Sequence, residues 1–130
     1  MNEEKIFDLV SDALRARFDT IFITGVELTS TPPQFPAVSI VLMDTTVNEN
    51  GSTFDKVDNV FTEAYTFNAF SNLEKQKEAK EQVKIITDVI DGVMSDLYYI
   101  RSFCGPVANI DPTITRRVAR YKKSNVTTEV

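Results

Sequence analysis

The side chains in this sequence with the most evident capacity for chemistry are carboxylates. Asp44 closes an apolar stretch, Glu63 lies in the next one, and Asp88 and Asp91 sit three apart in a helical pattern. Gathered together, the four would make an acid pair or an oxygen-ligand metal site. Their spacing matches no ligand motif, and solvated surface charge is the preferred reading. Glu78 and Glu81 interleave with Lys77, Lys80 and Lys84 as on the wet side of a helix, where such neighbours contribute only about 0.2–0.5 kcal/mol per pair. Histidine is absent, which removes imidazole general bases, Ser-His or Cys-His pairs and the commonest nitrogen ligand for zinc. Cys104 is the only cysteine, so no internal disulfide forms. Read at the C-terminal end of a helix beside Arg101, it sits where a thiolate is disfavoured, and a buried structural thiol is expected. The sequence has no glycine-rich phosphate loop, dinucleotide fingerprint, nucleophile elbow or CxxC pair. The expectation is a protein that is not an enzyme and carries no metal and no cofactor.

Binding chemistry is better represented. Residues 113–123 (TITRRVARYKK) hold Arg116, Arg117, Arg120, Lys122 and Lys123 and no acid. Of the 14 Lys and Arg in the chain this leaves nine against 19 Asp and Glu, so the remainder stands at −10 while the segment is +5. Three readings fit such segregation. The segment is a solvated edge strand that uses cations to prevent unwanted pairing; or it meets the acidic surface of a neighbouring copy; or it contacts nucleic acid, against the repulsion of the other −10. The second is preferred, with these five residues as the expected interface. Phe61, Tyr65, Phe67 and Phe70 form an aromatic set that would suit base stacking, but a stripe of this kind on a half-buried strand is more often core.

These residues need elements to hold them. At 130 residues, with 42% hydrophobic and 25% charged content, the chain reads as a single globular domain over residues 1–130. No apolar run approaches the roughly 18–20 residues of a membrane span. The acidic opening residues MNEEKIFDLV do not read as a secretory signal and no apolar core follows, so the chain is expected to stay in the cytosol where it is made.

Residues 2–18 give an amphipathic helix, with Ile6, Leu9, Val10, Ala13, Leu14 and Phe18 at three- and four-residue spacing. Residues 20–28 read as a short strand bent at Gly25, and the prolines at 32, 33 and 36 break the chain. Residues 37–47 and 58–70 alternate as two strands joined through the Asn-Gly turn of residues 48–52, a long β-hairpin. From residue 73 to about 103 the period becomes helical, with Val83, Ile86, Ile90, Val93, Leu97 and Ile100 in one stripe, ended by Cys104, Gly105 and Pro106. After Asp111-Pro112 an extended segment closes the chain. The expected fold class is α+β: a mainly antiparallel sheet with the N-terminal helix and the long central helix packed on one face.

With this order of elements the chain resembles the tail terminator or tail completion proteins of long-tailed bacteriophages, and the related small head-tail neck proteins. The resemblance lies in the leading helix, in Phe35-Pro36-Ala37-Val38-Ser39-Ile40-Val41-Leu42 leading into a strand, and in the long helix carrying Val93-Met94-Ser95-Asp96-Leu97. The closing Asp111-Pro112 with Ile114-Thr115-Arg116-Arg117-Val118-Ala119-Arg120-Tyr121 is similar to the last strand of such small virion proteins. The resemblance implies a subunit of a homo-oligomeric ring, commonly a hexamer, that caps the tail tube and presents a surface to the head connector. It implies no catalysis, a lumen through which DNA passes, and a place in the virion after assembly in the host cytoplasm.

Overall fold

In a computed structural model, residues 3–28, 31–47, 58–109 and 111–128 are described. Apolar residues at one helical spacing build α1 (Glu3–Arg17), whose Ile6, Val10 and Leu14 are buried and whose last turn carries Arg15 and Arg17, as the helix dipole favours. β1 (Phe22–Thr24) is shorter than the expected strand of residues 20–28, because the chain bends at Gly25 and Val26. β2 (Ala37–Val47) runs parallel to β1, with Phe22 opposite Ala37 and Thr24 opposite Ser39. Residues 25–36 are thus the crossover, and about a dozen residues are what a parallel connection needs. The sheet is therefore mixed, and the expectation of a mainly antiparallel sheet is corrected by this pair.

β3 (Asp58–Ser71) pairs antiparallel with β2 from Ala37 opposite Phe70 to Val47 opposite Phe61, with a register shift between Leu42 and Asp44. The expected turn at residues 48–52 lies outside the described residues. α2 (Gln76–Asp96) follows, then β4 (Ile100–Val107) and β5 (Thr115–Thr128), giving the strand order β1-β2-β3-β5-β4.

The long helix expected to reach residue 103 stops at Asp96, and the first half of β4 occupies residues expected to be helical. The stop is a left-handed cap. Tyr98 has φ 66, its N–H donates to the Ser95 carbonyl at 3.0 Å, and the Tyr99 N–H reaches back to the Met94 carbonyl at 2.9 Å. Those two bonds satisfy carbonyls that a helix end leaves open. Cys104, Gly105 and Pro106 consequently lie in a strand at the sheet edge, where a proline without an N–H is tolerated.

Both helices share one core with one sheet face. Val38, Ile40, Tyr65, Phe67, Ala69, Ala119 and Tyr121 meet Ile6, Val10 and Leu14 of α1 and Val83, Ile86, Ile90 and Met94 of α2. On the opposite face a smaller cluster joins Ala37, Phe70 and Ile114 to Phe22, Leu28 and Phe35 from β1 and the crossover. Ala37 and Ser39 are 0% and 1% exposed, so the first part of β2 is covered on this face as well as on the helix face. No helix among the described residues is long and apolar enough to cross a membrane.

Candidate functional site

The basic segment falls on β5, and β5 is not an edge. It pairs with β3 through Tyr65 opposite Tyr121 and with β4 through Cys104 opposite Ala119. The edge-strand reading is corrected accordingly: the partner strand β4 was hidden in the stretch read as helix. Over residues 116–122 both ladders are occupied, so a partner there must meet the side chains of this strand and not its backbone.

Alternation along the strand divides the five cations. Arg117 and Lys123 point to the helix face. Arg117 donates from Nε to Thr87 Oγ1 at 3.0 Å and from Nη2 to Cys104 Sγ at 3.5 Å, while Lys123 Nζ donates to the Leu97 carbonyl at 3.1 Å and lies 5.4 Å from the Tyr99 ring centroid. Arg116, Arg120 and Lys122 point to the other face. There Arg116 donates from Nε and Nη2 to Asn68 Oδ1 at 2.9 and 2.7 Å and spans the Phe70 ring. Arg120 lies over Phe103 at 5.8 Å, and both Arg120 and Lys122 are exposed. Two of the five expected interface residues are therefore fixed inside the fold, one is partly engaged, and two reach solvent.

β4 adds what the sequence reading missed. A register shift between Arg101 and Phe103 sets Ile100 opposite Lys122 and Phe103 opposite Arg120, on the same face. Ile100 is 66% and Phe103 43% exposed, so the edge of this face presents two apolar and two basic side chains together. The only signal of this in the sequence was the apolar stripe itself, whose last member, Ile100, continues the helical period past the helix.

The helix side of the same strands borders a cleft of about 660 Å3 between the first half of α2 and the facing ends of β4 and β5. Lys77, Lys80, Lys84 and Arg117 line it, with Glu81 the one carboxylate, over an apolar floor that includes Val83, Pro106 and Ile114; Arg116 also borders it, but its guanidinium is held on the other face by Asn68. Sequence reading took these lysines for a solvated face, since nothing local in the chain announces the strand ends opposite them.

The carboxylates singled out for chemistry do not converge. Glu63 is buried and accepts a bond from Tyr99 Oη at 2.9 Å. Asp91 accepts from Tyr121 Oη at 2.9 Å and lies 3.5 Å from Arg101, whereas Asp88 faces Lys84 at 4.0 Å. Asp44 is opposite Ala64, one position from the Thr45–Glu63 pair. No three metal-ligating side chains gather among the described residues. Burial first, and donation to Glu63 or Asp91 second, push the Tyr99 and Tyr121 phenols well above their usual range. The Asp111 carboxyl is held below its ordinary value by the Thr113 hydroxyl and backbone N–H, the bonds that form the Asp-Pro turn. Cys104 is half-buried and accepts from Arg117. Tyr65 and Phe67, at 1% and 0% exposure, are core and not a stacking platform.

The geometry is suited to binding through charge and apolar contact. Comparison with models of known protein families gives no match, and no curated protein matches the chain.

Proposed function

We propose that this chain is a virion structural subunit, a tail terminator that forms a ring, commonly a hexamer, on the end of the tail tube and joins it to the head connector. The observation that carries the reading is the exposed strip of Ile100, Phe103, Arg120 and Lys122 at the sheet edge. Apolar and cationic groups side by side suit a protein contact: the apolar pair supplies burial, and the cations fix orientation and speed encounter with an acidic surface. The resemblance of element order to small tail and neck proteins points the same way, and the ring would close by head-to-tail contacts between unlike patches.

The test is capture of the purified chain by tail tubes assembled without their terminator, scored by electron microscopy of tube ends. Wild type caps the tubes; Arg120→Glu with Lys122→Glu does not, while its thermal unfolding is unchanged because both side chains are solvent-exposed. A wild-type chain indifferent to tube ends would sink the proposal.

A nucleic-acid-binding module is the second reading, favoured by Arg120 over Phe103 with Lys122 and Arg116 on the same face. With two or three phosphates neutralised, log K against log salt would have a slope of about −2 to −3. No DNA binding at low salt removes it.

A further inference from the structure

The cleft beside α2 is not used by the proposed assembly surface, and its charge is unlike that of the chain around it. Four cations, Lys77, Lys80, Lys84 and Arg117, present their charge to it against Glu81 alone, in a protein whose net charge is −5. Three of these cations, Lys77, Lys80 and Lys84, rise along one side of α2 over about 10 Å, at 1.5 Å per residue. Arg117 faces them from β5.

Two features separate this arrangement from ordinary surface charge. The first is its cost to the helix. Every cation of α2 lies in its first half, while the second half carries Asp88, Asp91 and Asp96 and its last turn has no basic residue. The first turn does carry Glu78, as the helix dipole favours, but the three lysines and the three later aspartates run against it, so the dipole does not account for the lysines. The second is preorganisation. Arg117 is held by Thr87 and Cys104 before any ligand arrives. Those bonds use Nε and Nη2 and leave Nη1 over, and little side-chain freedom remains to be lost on binding. Lys77 and Lys80 make no ion pair among the described residues, and the contact of Lys84 with Asp88, at 4.0 Å between exposed groups, is weak competition.

From this we infer that the cleft is a binding site for a phosphate chain, carried by a nucleotide-sized ligand. A single carboxylate would leave most of the positive charge uncompensated, whereas two or three linked phosphates match it and suit guanidinium forks and ammonium points together. The volume, about 660 Å3, is that of a small-molecule site, and Val83, Pro106 and Ile114 offer an apolar floor to the remainder of the ligand. The same phosphate chemistry is presented by a free nucleotide and by a nucleic-acid strand.

The experiment is calorimetric titration of the full chain with inorganic pyrophosphate, ATP and a short single-stranded oligonucleotide, at matched ionic strength set by chloride. Lys80→Ala with Lys84→Ala, both exposed positions, is compared with Arg120→Ala on the other face. Binding of any of the three probes, weakened about tenfold or more by the lysine pair and unchanged by Arg120→Ala, is the expected result. Equal affinity for pyrophosphate and ATP assigns recognition to the phosphates alone; tighter ATP places its base on the apolar floor; a tighter oligonucleotide names a nucleic-acid strand as the source. Failure of all three probes to bind, or binding that the lysine pair leaves intact, overturns the inference. Capture by tail tubes is a separate readout, so the two proposals fail independently.

Discussion

Arg117 donates to Thr87 and Cys104 beneath α2, whereas Arg120, three residues on, lies across Phe103 in solvent. Their sequence surroundings are alike, and only strand parity separates them. Thr87 is itself buried and spends its proton on the Lys84 carbonyl at 3.0 Å, so Arg117 is the donor that completes its oxygen. Removing a charged donor to a buried acceptor costs about 1.5–3 kcal/mol, and an exposed cation near an aromatic ring far less. Arg117→Ala should therefore lower the unfolding free energy in urea by about 1.5–3 kcal/mol, and Arg120→Ala by less than about 0.5 kcal/mol. Equal effects would mean that the division of the basic segment between two faces is wrong. Arg117→Lys should not restore the loss, because an ammonium cannot reach both acceptors as a planar fork does.

At the scale of elements, the decisive event is the end of α2. Tyr98 takes the left-handed conformation at the position where glycine is usual, and it is 82% exposed, so its ring gives little in return. Tyr98→Gly is expected to raise stability by about 0.5–1 kcal/mol, the left-handed penalty less the entropy of a freer unfolded chain. Tyr98→Val should lower it, and denaturant melts of the two variants check the sign. The same residue explains what was hard to read. α1, β2, β3 and α2 were legible because an apolar period runs through each, but the expected helix overran the end of α2 by some seven residues. β4 was not, because no glycine or proline marks residue 98 and Ile100 extends the helical stripe by accident of spacing. Missing β4 made β5 an edge and turned all five cations outward. The parallel pairing of β1 was hidden for another reason: three residues are too few to show a period, and the prolines after them read as a break without revealing that the break is a crossover. The cleft was out of reach altogether, since its two walls lie some 30 residues apart in sequence and meet only through the tertiary fold.

For the molecule as a whole, charge segregation is partly an internal matter. Lys123 and Arg117 are taken up under α2, and two tyrosines carry buried or half-buried acids with them: Tyr99 donates to Glu63, and Tyr121 to Asp91. The rings belong to one aromatic cluster, Tyr99 edge-on to Tyr65 and Tyr121 edge-on to Phe67, each at 5.7 Å. Both phenols have raised pKa values in the folded state, chiefly from burial. The nearby Arg101 acts against this at Tyr121, but as the smallest influence. A phenol that keeps its proton when folded and loses it when unfolded contributes stability that is complete below about pH 10 and is lost as pH rises toward the folded value. Each tyrosine then steepens the fall by at most about 1.4 kcal/mol per pH unit. Urea unfolding between about pH 8 and pH 11 should show stability falling with pH in the wild type. Tyr99→Phe and Tyr121→Phe should each flatten that fall, although both start lower at neutral pH for want of a donor to the carboxylate. Lysines titrate in the same range in every variant, so the comparison isolates the phenols. Slopes that do not change in either variant would show that these hydroxyls ionise in the folded protein as readily as in the unfolded chain, and that the helices do not exclude water from the sheet face they cover.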